Sequence, residues 1–221
     1  MIRSGLILCV ALLAAAPAAD AGAAERALCA VCALNGETEP EEVAATREYA
    51  GETVNFCSKK CAEAFDIDPA AYIFEPGPAP AIAATSLGGD VLPFIPRPGR
   101  IVLVDFWATW CKPCVKSMPE VDALYRELRE RGLDVIGVAA ETGKDREKNV
   151  RKFLGKQSVS YPIAVDREES PAWEAFGVKV LPTMFLIDGN GVIVRRWAGA
   201  IDMNDVRQAV EGALRPGASG E

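Results

Sequence analysis

The apolar run Ile101-Val102-Leu103-Val104 leads through Asp105-Phe106-Trp107 into Ala108-Thr109-Trp110-Cys111-Lys112-Pro113-Cys114, and from there into an amphipathic helical pattern. No other stretch constrains the chain as strongly. A run without polar alternation is a strand covered on both faces, so the sheet that holds it needs a layer on each side. Two cysteines separated by two residues, where a strand gives way to a helix, are placed for dithiol–disulfide chemistry. The first thiol stands at the helix N-terminus, where unpaired backbone N–H groups and the dipole stabilise a thiolate. The second lies one turn along and can attack a mixed disulfide formed by the first. A lone C-x-x-C also reads as half a zinc site. The preceding strand, the Trp-Cys-x-Pro-Cys spelling and the distant Leu181-Pro182-Thr183 favour redox chemistry.

Strand and helix signals alternate after this point, which argues for an α/β sheet. Val121, Leu124, Tyr125 and Leu128 fall at i, i+3, i+4 and i+7, the spacing of a helix that buries one face. Pro119 is expected to kink that helix. Leu133 to Ala139 reads as the next strand, followed by a charged helix around 146–156 and a short strand near 163–165. Asp188-Gly189-Asn190-Gly191 between two apolar runs is a hairpin signal, and Asp202 can cap a last helix through Leu214. Asp105 is the only charged residue of its strand. An ionised carboxylate there is costly, so it needs either a raised pKa or a paired cation.

The N-terminus reads as a secretory signal over residues 1–24: Arg3, the apolar core Leu6 to Leu13, and small-residue cleavage sites at Ala16-Pro17-Ala18 and Ala21-Gly22-Ala23. Its apolar core is shorter than the ~20 residues of a spanning helix. Its removal takes away Arg3 and Asp20 together, so the formal charge of −7 is unchanged. An acidic chain without basic runs makes nucleic acid an unsuitable partner. There is no histidine, which excludes imidazole base catalysis and His-ligated metal. Glu75-Pro76-Gly77-Pro78-Ala79-Pro80 is expected to be a semi-rigid extended linker, residues 75–80. It divides a Cys-rich module, residues 25–74, from a larger apolar unit, residues 81–215, and residues 216–221 read as a frayed tail.

The module carries two thiol pairs, Cys29-x-x-Cys32 and Cys57-x-x-x-Cys61. C-x2-C with a second close pair about two dozen residues later is a metal signal, and four thiolates suit zinc or Cu(I). The competing reading is two disulfides, since an oxidising compartment would form them unless metal or a reductant intervened.

Strand–CxxC–helix with a later Pro-Thr resembles the thioredoxin family. Phe106-Trp107-Ala108-Thr109-Trp110-Cys111-x-Pro113-Cys114, with Met118-Pro119 just after, looks most like its TlpA branch of extracytoplasmic proteins, over about residues 80 to 215. The resemblance implies a thioredoxin fold, a mixed central sheet flanked by helices, and a periplasmic thiol–disulfide oxidoreductase with a redox-active Cys111–Cys114 disulfide. It implies Asp105 as proton acceptor for Cys114, and Pro182 as the cis-proline that faces the thiols. Leu181 backbone would pair with substrate, and Trp110 would form an apolar docking rim, exposed where Trp107 is buried. Thioredoxins also carry a lysine near the acid on the following strand; Gly137-Val138-Ala139-Ala140 offers none. The implied partners are a disulfide-bearing client, from cytochrome c or copper-site assembly, and a membrane thiol donor of the DsbD or CcdA kind. Tyr49-Ala50-Gly51, Phe56-Cys57-Ser58-x-x-Cys61, Phe65, Pro69 and Tyr72 resemble the TRASH/YHS family of treble-clef metal-binding modules, over about residues 27 to 74. That resemblance implies a metal site at Cys29, Cys32, Cys57 and Cys61. A rival reading is a metal-handling protein whose thioredoxin unit keeps these four thiols reduced; a third is an oxidase that makes disulfides.

Overall fold

The N-terminal cysteines sit in a small unit of short elements. Strands β1 (Arg26–Ala27) and β2 (Glu41–Glu42) pair antiparallel on either side of helix α1 (Ala30–Leu34) in sequence. A hairpin, β3 (Ala45–Tyr49) and β4 (Glu52–Phe56), turns through Ala50 and Gly51, both at positive φ. Helix α2 (Lys59–Ile67) starts at Ser58, whose hydroxyl oxygen accepts from the Cys61 N–H at 3.2 Å, so one orphan donor of the first turn is satisfied. Helix α3 (Pro69–Tyr72) follows with proline in its first turn, where its missing N–H costs nothing. Phe65 is the hub of this unit. Its ring meets Tyr49 edge-on at 5.6 Å and Phe56 at 5.1 Å, above buried Cys29, Val54 and Ala62. A core this small seldom stands without a disulfide or metal staple.

The rest of the chain continues with β5 (Gly77–Pro78) and a hairpin of β6 (Ala83–Thr85) and β7 (Val91–Pro93). Then come β8 (Ile101–Trp107), α4 (Lys112–Leu128), β9 (Leu133–Ala139), α5 (Arg146–Leu154) and β10 (Ile163–Val165). The last elements are α6 (Ala172–Ala175), β11 (Thr183–Ile187), β12 (Val192–Ala198) and α7 (Met203–Ala213). In this computed structural model the described residues are 24–34, 37, 39–167, 169, 171–199 and 201–215; the expected signal segment, apart from Ala24, and the expected tail lie outside them.

Six strands form the main sheet in the order β10-β9-β8-β11-β12-β5. β8, β9 and β10 run parallel, whereas β11, β12 and β5 are joined antiparallel. This is a thioredoxin fold with a mixed central sheet and flanking helices. Every residue of β8 is buried, as its unbroken apolar spelling predicts. Its odd positions Ile101, Leu103 and Trp107 face α4 and α7, packing with Met118, Val121, Leu124, Val206 and Val210. Its even positions Val102, Val104 and Phe106 face the other layer, with Phe94, Phe176 and Phe185.

The segment expected to be a spacer is not free. Gly77 and Pro78 pair with Ile193 and Val192, the Ala79 N–H donates to the Gly191 carbonyl at 2.8 Å, and Ala79 is buried. Extended proline geometry suits an edge strand, which does not need every N–H in the ladder. The Cys-rich unit touches the large one at two further places. Lys179 Nζ lies 2.9 Å from Asp68 Oδ2, and the Arg196 guanidinium stacks over the Phe74 ring.

Leu103 is fully buried at the centre of the sheet. Leu103→Ala should lower unfolding stability by about 2–5 kcal/mol, the cost of lost burial plus a residual cavity. Denaturant melts of oxidised protein measure it. A loss below about 1 kcal/mol would contradict the central placement of β8.

Candidate functional site

β8 ends at Trp107, and the chain loops over the C-terminal edge of the sheet into α4. Hydrogen bonds hold that loop along its length. The Ala140 N–H donates to the Trp107 carbonyl at 2.8 Å, and the Cys111 N–H to the Ala108 carbonyl at 3.1 Å. Thr109 gives both its N–H and its hydroxyl to Glu141 Oε1, each at 2.6 Å. Cys111 is the N-cap of α4, and its sulfur accepts the Cys114 N–H at 3.3 Å. The two cysteines are joined in a disulfide. Cys111 is 5% exposed and Cys114 1%, so with the bond formed both residues are shielded, the first slightly less than the second. The Trp110 ring is 67% exposed beside them, whereas Trp107 is fully buried.

The Leu181–Pro182 peptide bond is cis. Thr183 pairs with Phe106 across β11 and β8, so Pro182 stands at the same sheet edge as the dithiol loop. The Pro182 carbonyl accepts the Gly199 N–H at 2.9 Å, and the Thr183 hydroxyl donates to the Val180 carbonyl at 2.7 Å. Leu181 is half-buried and packs against both core layers.

Asp105 lies on the odd face of β8, the face that carries Cys114 and Met118 of α4. It is 1% exposed, and neither carboxylate oxygen has a hydrogen-bond partner. Burial pushes its pKa up to about 7. Its register partners are Gly137 and Met184, so neither neighbouring strand supplies a cation. A carboxyl that is neutral or ionised according to small changes near neutrality is suited to take a proton from a thiol.

The other four cysteines converge. Cys29 and Cys32 flank the start of α1, Cys57 ends the β3–β4 hairpin, and Cys61 lies in the first turn of α2. Their sulfurs all lie within 4.8 Å of one another, and those of Cys32, Cys57 and Cys61 are 3.5–3.8 Å apart. A disulfide needs ~2.05 Å. A tetrahedron with ~2.3 Å metal–sulfur bonds has edges of about 3.8 Å. The donor set therefore fits one thiophilic ion. Burial raises the Cys29 thiol, but the N–H groups of Cys57, Cys32 and Val31 outweigh it and bring it down to about 7. Cys32 is pushed up by burial and by the sulfurs of Cys57, Cys29 and Cys61. Cys57 rises to about 12, chiefly through its hydrogen bond with Glu41. Four adjacent thiols resist ionising together; a bound cation would reverse that logic.

Three acids near these sites escape a sequence reading. Glu141 has no periodicity to mark it, Glu41 approaches Cys57 only through the β1–β2 pairing, and buried Asp166 caps α6 through the Ala172 and Trp173 N–H groups. An acid just past the end of an apolar strand was the one available signal for Glu141.

Comparison with known proteins agrees with this geometry. Residues 78–212 match the Redoxin family model. A thiol-disulfide oxidoreductase ResA from Geobacillus thermodenitrificans is 36% identical over 118 residues, covering 53% of this chain and 65% of that protein. The ResA of Bacillus thuringiensis strain Al Hakam is 32% identical over 137 residues, covering 62% of this chain and 75% of that one. Among solved structures, a thioredoxin-family thiol:disulfide interchange protein from Chlorobium tepidum superposes with TM-score 0.55 at 26% identity, covering 65% of this chain and 99% of that one.

The raised pKa of Asp105 makes a stability prediction. Between the unfolded value, about 3.9, and the folded value the native state binds the extra proton, so stability falls as pH rises across that window. Oxidised Asp105→Asn should match wild type near pH 4. At pH 8 it should exceed wild type by a few kcal/mol, because each pH unit separating the folded from the unfolded value is worth about 1.4 kcal/mol. Paired melts across pH measure this. A constant difference would mean that the carboxyl titrates normally.

Proposed function

This chain belongs to the Redoxin family and is a thioredoxin-like thiol–disulfide oxidoreductase, and from that premise we propose that it works in the periplasm as a TlpA-like reductase of client proteins. The observation that carries the reading is the Cys111–Cys114 disulfide at the N-cap of α4, on the face of the sheet that buries Asp105. In the reduced protein the Cys111 thiolate attacks a client disulfide. A sulfur–sulfur bond forms between Cys111 and one client sulfur, and the other client sulfur leaves as a thiolate that takes a proton from water. Asp105 then accepts the Cys114 proton. The Cys114 thiolate attacks Cys111, forming the intramolecular disulfide and releasing the second client thiolate. Two electrons pass to the client, and a membrane thiol donor of the DsbD or CcdA kind returns them. Trp110 and the Leu181 backbone beside Pro182 receive the client segment. Cytochrome c or copper-site assembly proteins fit as clients, because both present cysteine pairs that must be reduced before loading. No helix among the described residues is long and apolar enough to cross a membrane.

In the N-terminal unit, read as a TRASH/YHS-like module, Cys29, Cys32, Cys57 and Cys61 would hold one zinc or Cu(I). A bound ion would clamp a small core and keep the four thiolates from pairing. In the second reading the dithiol keeps these four ligands reduced, and the presence of both cysteine sites in one chain is what motivates it. Lys179, paired with Asp68, ties the module to the segment that leads into Pro182.

Cys114→Ser should trap client as a mixed disulfide on Cys111, seen by non-reducing electrophoresis and mass spectrometry, whereas Cys111→Ser should trap none. Equal trapping by both variants would reverse or abolish the assigned roles. The measured potential of the couple decides reductase against oxidase, since proteins of this fold span about −270 to −120 mV.

For the module, reduced protein supplied with zinc should bind one ion with sulfur-only coordination at ~2.3 Å by X-ray absorption. Cys57→Ser should weaken uptake by at least tenfold. Persistent disulfides and no uptake after mild reduction would leave a disulfide-stapled docking module. Zinc uptake after oxidative challenge, compared between wild type and Cys111→Ser, separates the client-reductase reading from the metal-handling one.

A further inference from the structure

Four of the five buried side-chain polar atoms that lack a hydrogen-bond partner among the described residues belong to three neighbours. They are both oxygens of Asp105, Nε1 of Trp107 and the hydroxyl of Tyr161. All three side chains border Gly137. Asp105 is its register partner on β8, and a Cβ at residue 137 would lie 2.9 Å from Tyr161 Cε2 and 3.4 Å from Trp107 Nε1. Such a Cβ would also meet Ile163 Cδ1 at 2.5 Å, so only glycine lets these side chains close in beside Asp105. Native proteins rarely leave buried polar groups orphaned, and a cluster of them facing one space calls for a shared partner.

We propose that Tyr161 is a positioning residue for the Cys114-to-Asp105 proton transfer: with Trp107 Nε1 it holds one internal water against the Asp105 carboxylate, the shared partner that these four unpaired atoms call for. The donor count closes. The water accepts from the indole N–H and the phenol O–H and donates to the carboxylate, which only accepts when ionised. Burial, then the charges of Asp105 and Asp122, push the Tyr161 phenol above its ordinary value. It therefore stays protonated and acts as a donor, never as the base. Thioredoxins place a lysine beside the acid; here a neutral donor network does that work, favouring the carboxylate without adding a charge. The same ring lines a surface groove of about 410 Å³ with Ser86, Gly88, Leu154 and Ser158. Tyr161 thus stands between the buried acid and solvent, from which the water enters. The titratable groups facing Tyr161 and this space are Cys114, Asp122 and Tyr125 from α4, the last with its ring 6.3 Å from that of Tyr161, and Asp90 in the groove on the solvent side. Asp122 is held by the Ser160 N–H and hydroxyl at 2.6 Å. β9, β11 and α5 present Gly137, Met184 and Val150 with Phe153.

The inference rests on the reading of Asp105 as proton acceptor, and the test separates the two. The full chain is converted to the Cys111 mixed disulfide with glutathione, and release of glutathione by Cys114 is followed by stopped flow across pH. Four proteins are compared: wild type, Tyr161→Phe, Asp105→Asn and the double variant. Phenylalanine keeps the ring, and thermal melts of the oxidised forms check that it does. Loss of the donor should raise the midpoint of the rise by about one pH unit, a tenfold change in the proton equilibrium. The infrared band of protonated Asp105 should shift to higher frequency as its hydrogen bonding weakens. In the Asp105→Asn background Tyr161→Phe should change nothing. A Tyr161→Phe profile that overlays wild type, while Asp105→Asn abolishes the titration, overturns the role of Tyr161 alone. A Tyr161→Phe effect that persists without the carboxylate also overturns it, marking a structural role. An unchanged profile in Asp105→Asn overturns the reading of Asp105 itself.

Discussion

The desolvation of one carboxylate sets the terms for the rest of this structure. Asp105 is buried because β8 is buried, and β8 is buried because its two faces complete two separate apolar layers. The layer that hides Asp105 is also the one under α4, which brings Cys114 to the same face. An acid in that position is raised to about 7 by burial alone. It can alternate between proton acceptor and neutral carboxyl without a dedicated base elsewhere. A chain without histidine has few other ways to place a group that titrates there.

The two cysteine sites answer one chemical problem in opposite ways. A thiolate is reactive, and adjacent thiolates repel. At the dithiol, the α4 N-terminus offers an N–H to Cys111, and the second sulfur sits close enough to form a covalent bond. At the N-terminal cluster four sulfurs are held at tetrahedral-edge separations, too far for disulfides without movement and suited to one soft cation. Burial and the neighbouring sulfurs raise Cys32, and the hydrogen bond with Glu41 raises Cys57, so these two thiols keep their protons until such a cation arrives. The ion pair of Lys179 with Asp68 and the stack of Arg196 on Phe74 keep the two chemistries on one frame. Both contacts are partly exposed, and pairs of this kind contribute about 1 kcal/mol or less each.

Much of the fold was legible because periodicity is local. The unbroken apolar spelling of β8, the i, i+3, i+4, i+7 face of α4 and the Asp188 to Gly191 turn each carry their own signal, and the structure has those elements. α4 runs on through Pro119 as one continuous helix. The Pro-rich segment misled, because extended backbone reads the same whether it spans solvent or joins a sheet edge; only the presence of β12 beside it decides. Helix α6, four residues long, has too little sequence to show a period and is capped by Asp166 from outside its own span.

By itself, the sequence determined the strand–dithiol–helix junction, the alternation of strands and helices around it, the lone acid of the central strand and the two groups of cysteines. Each follows from residue type and short-range spacing, which fix backbone geometry and burial. Tertiary structure alone decided which distant groups share a space. Glu141 reaches back 32 residues to hold Thr109, Glu41 approaches Cys57, and Tyr161 comes over Gly137 toward Asp105. These approaches depend on how strands order themselves in the sheet. That order minimises exposed apolar surface over the whole chain, and no local window of residues contains it.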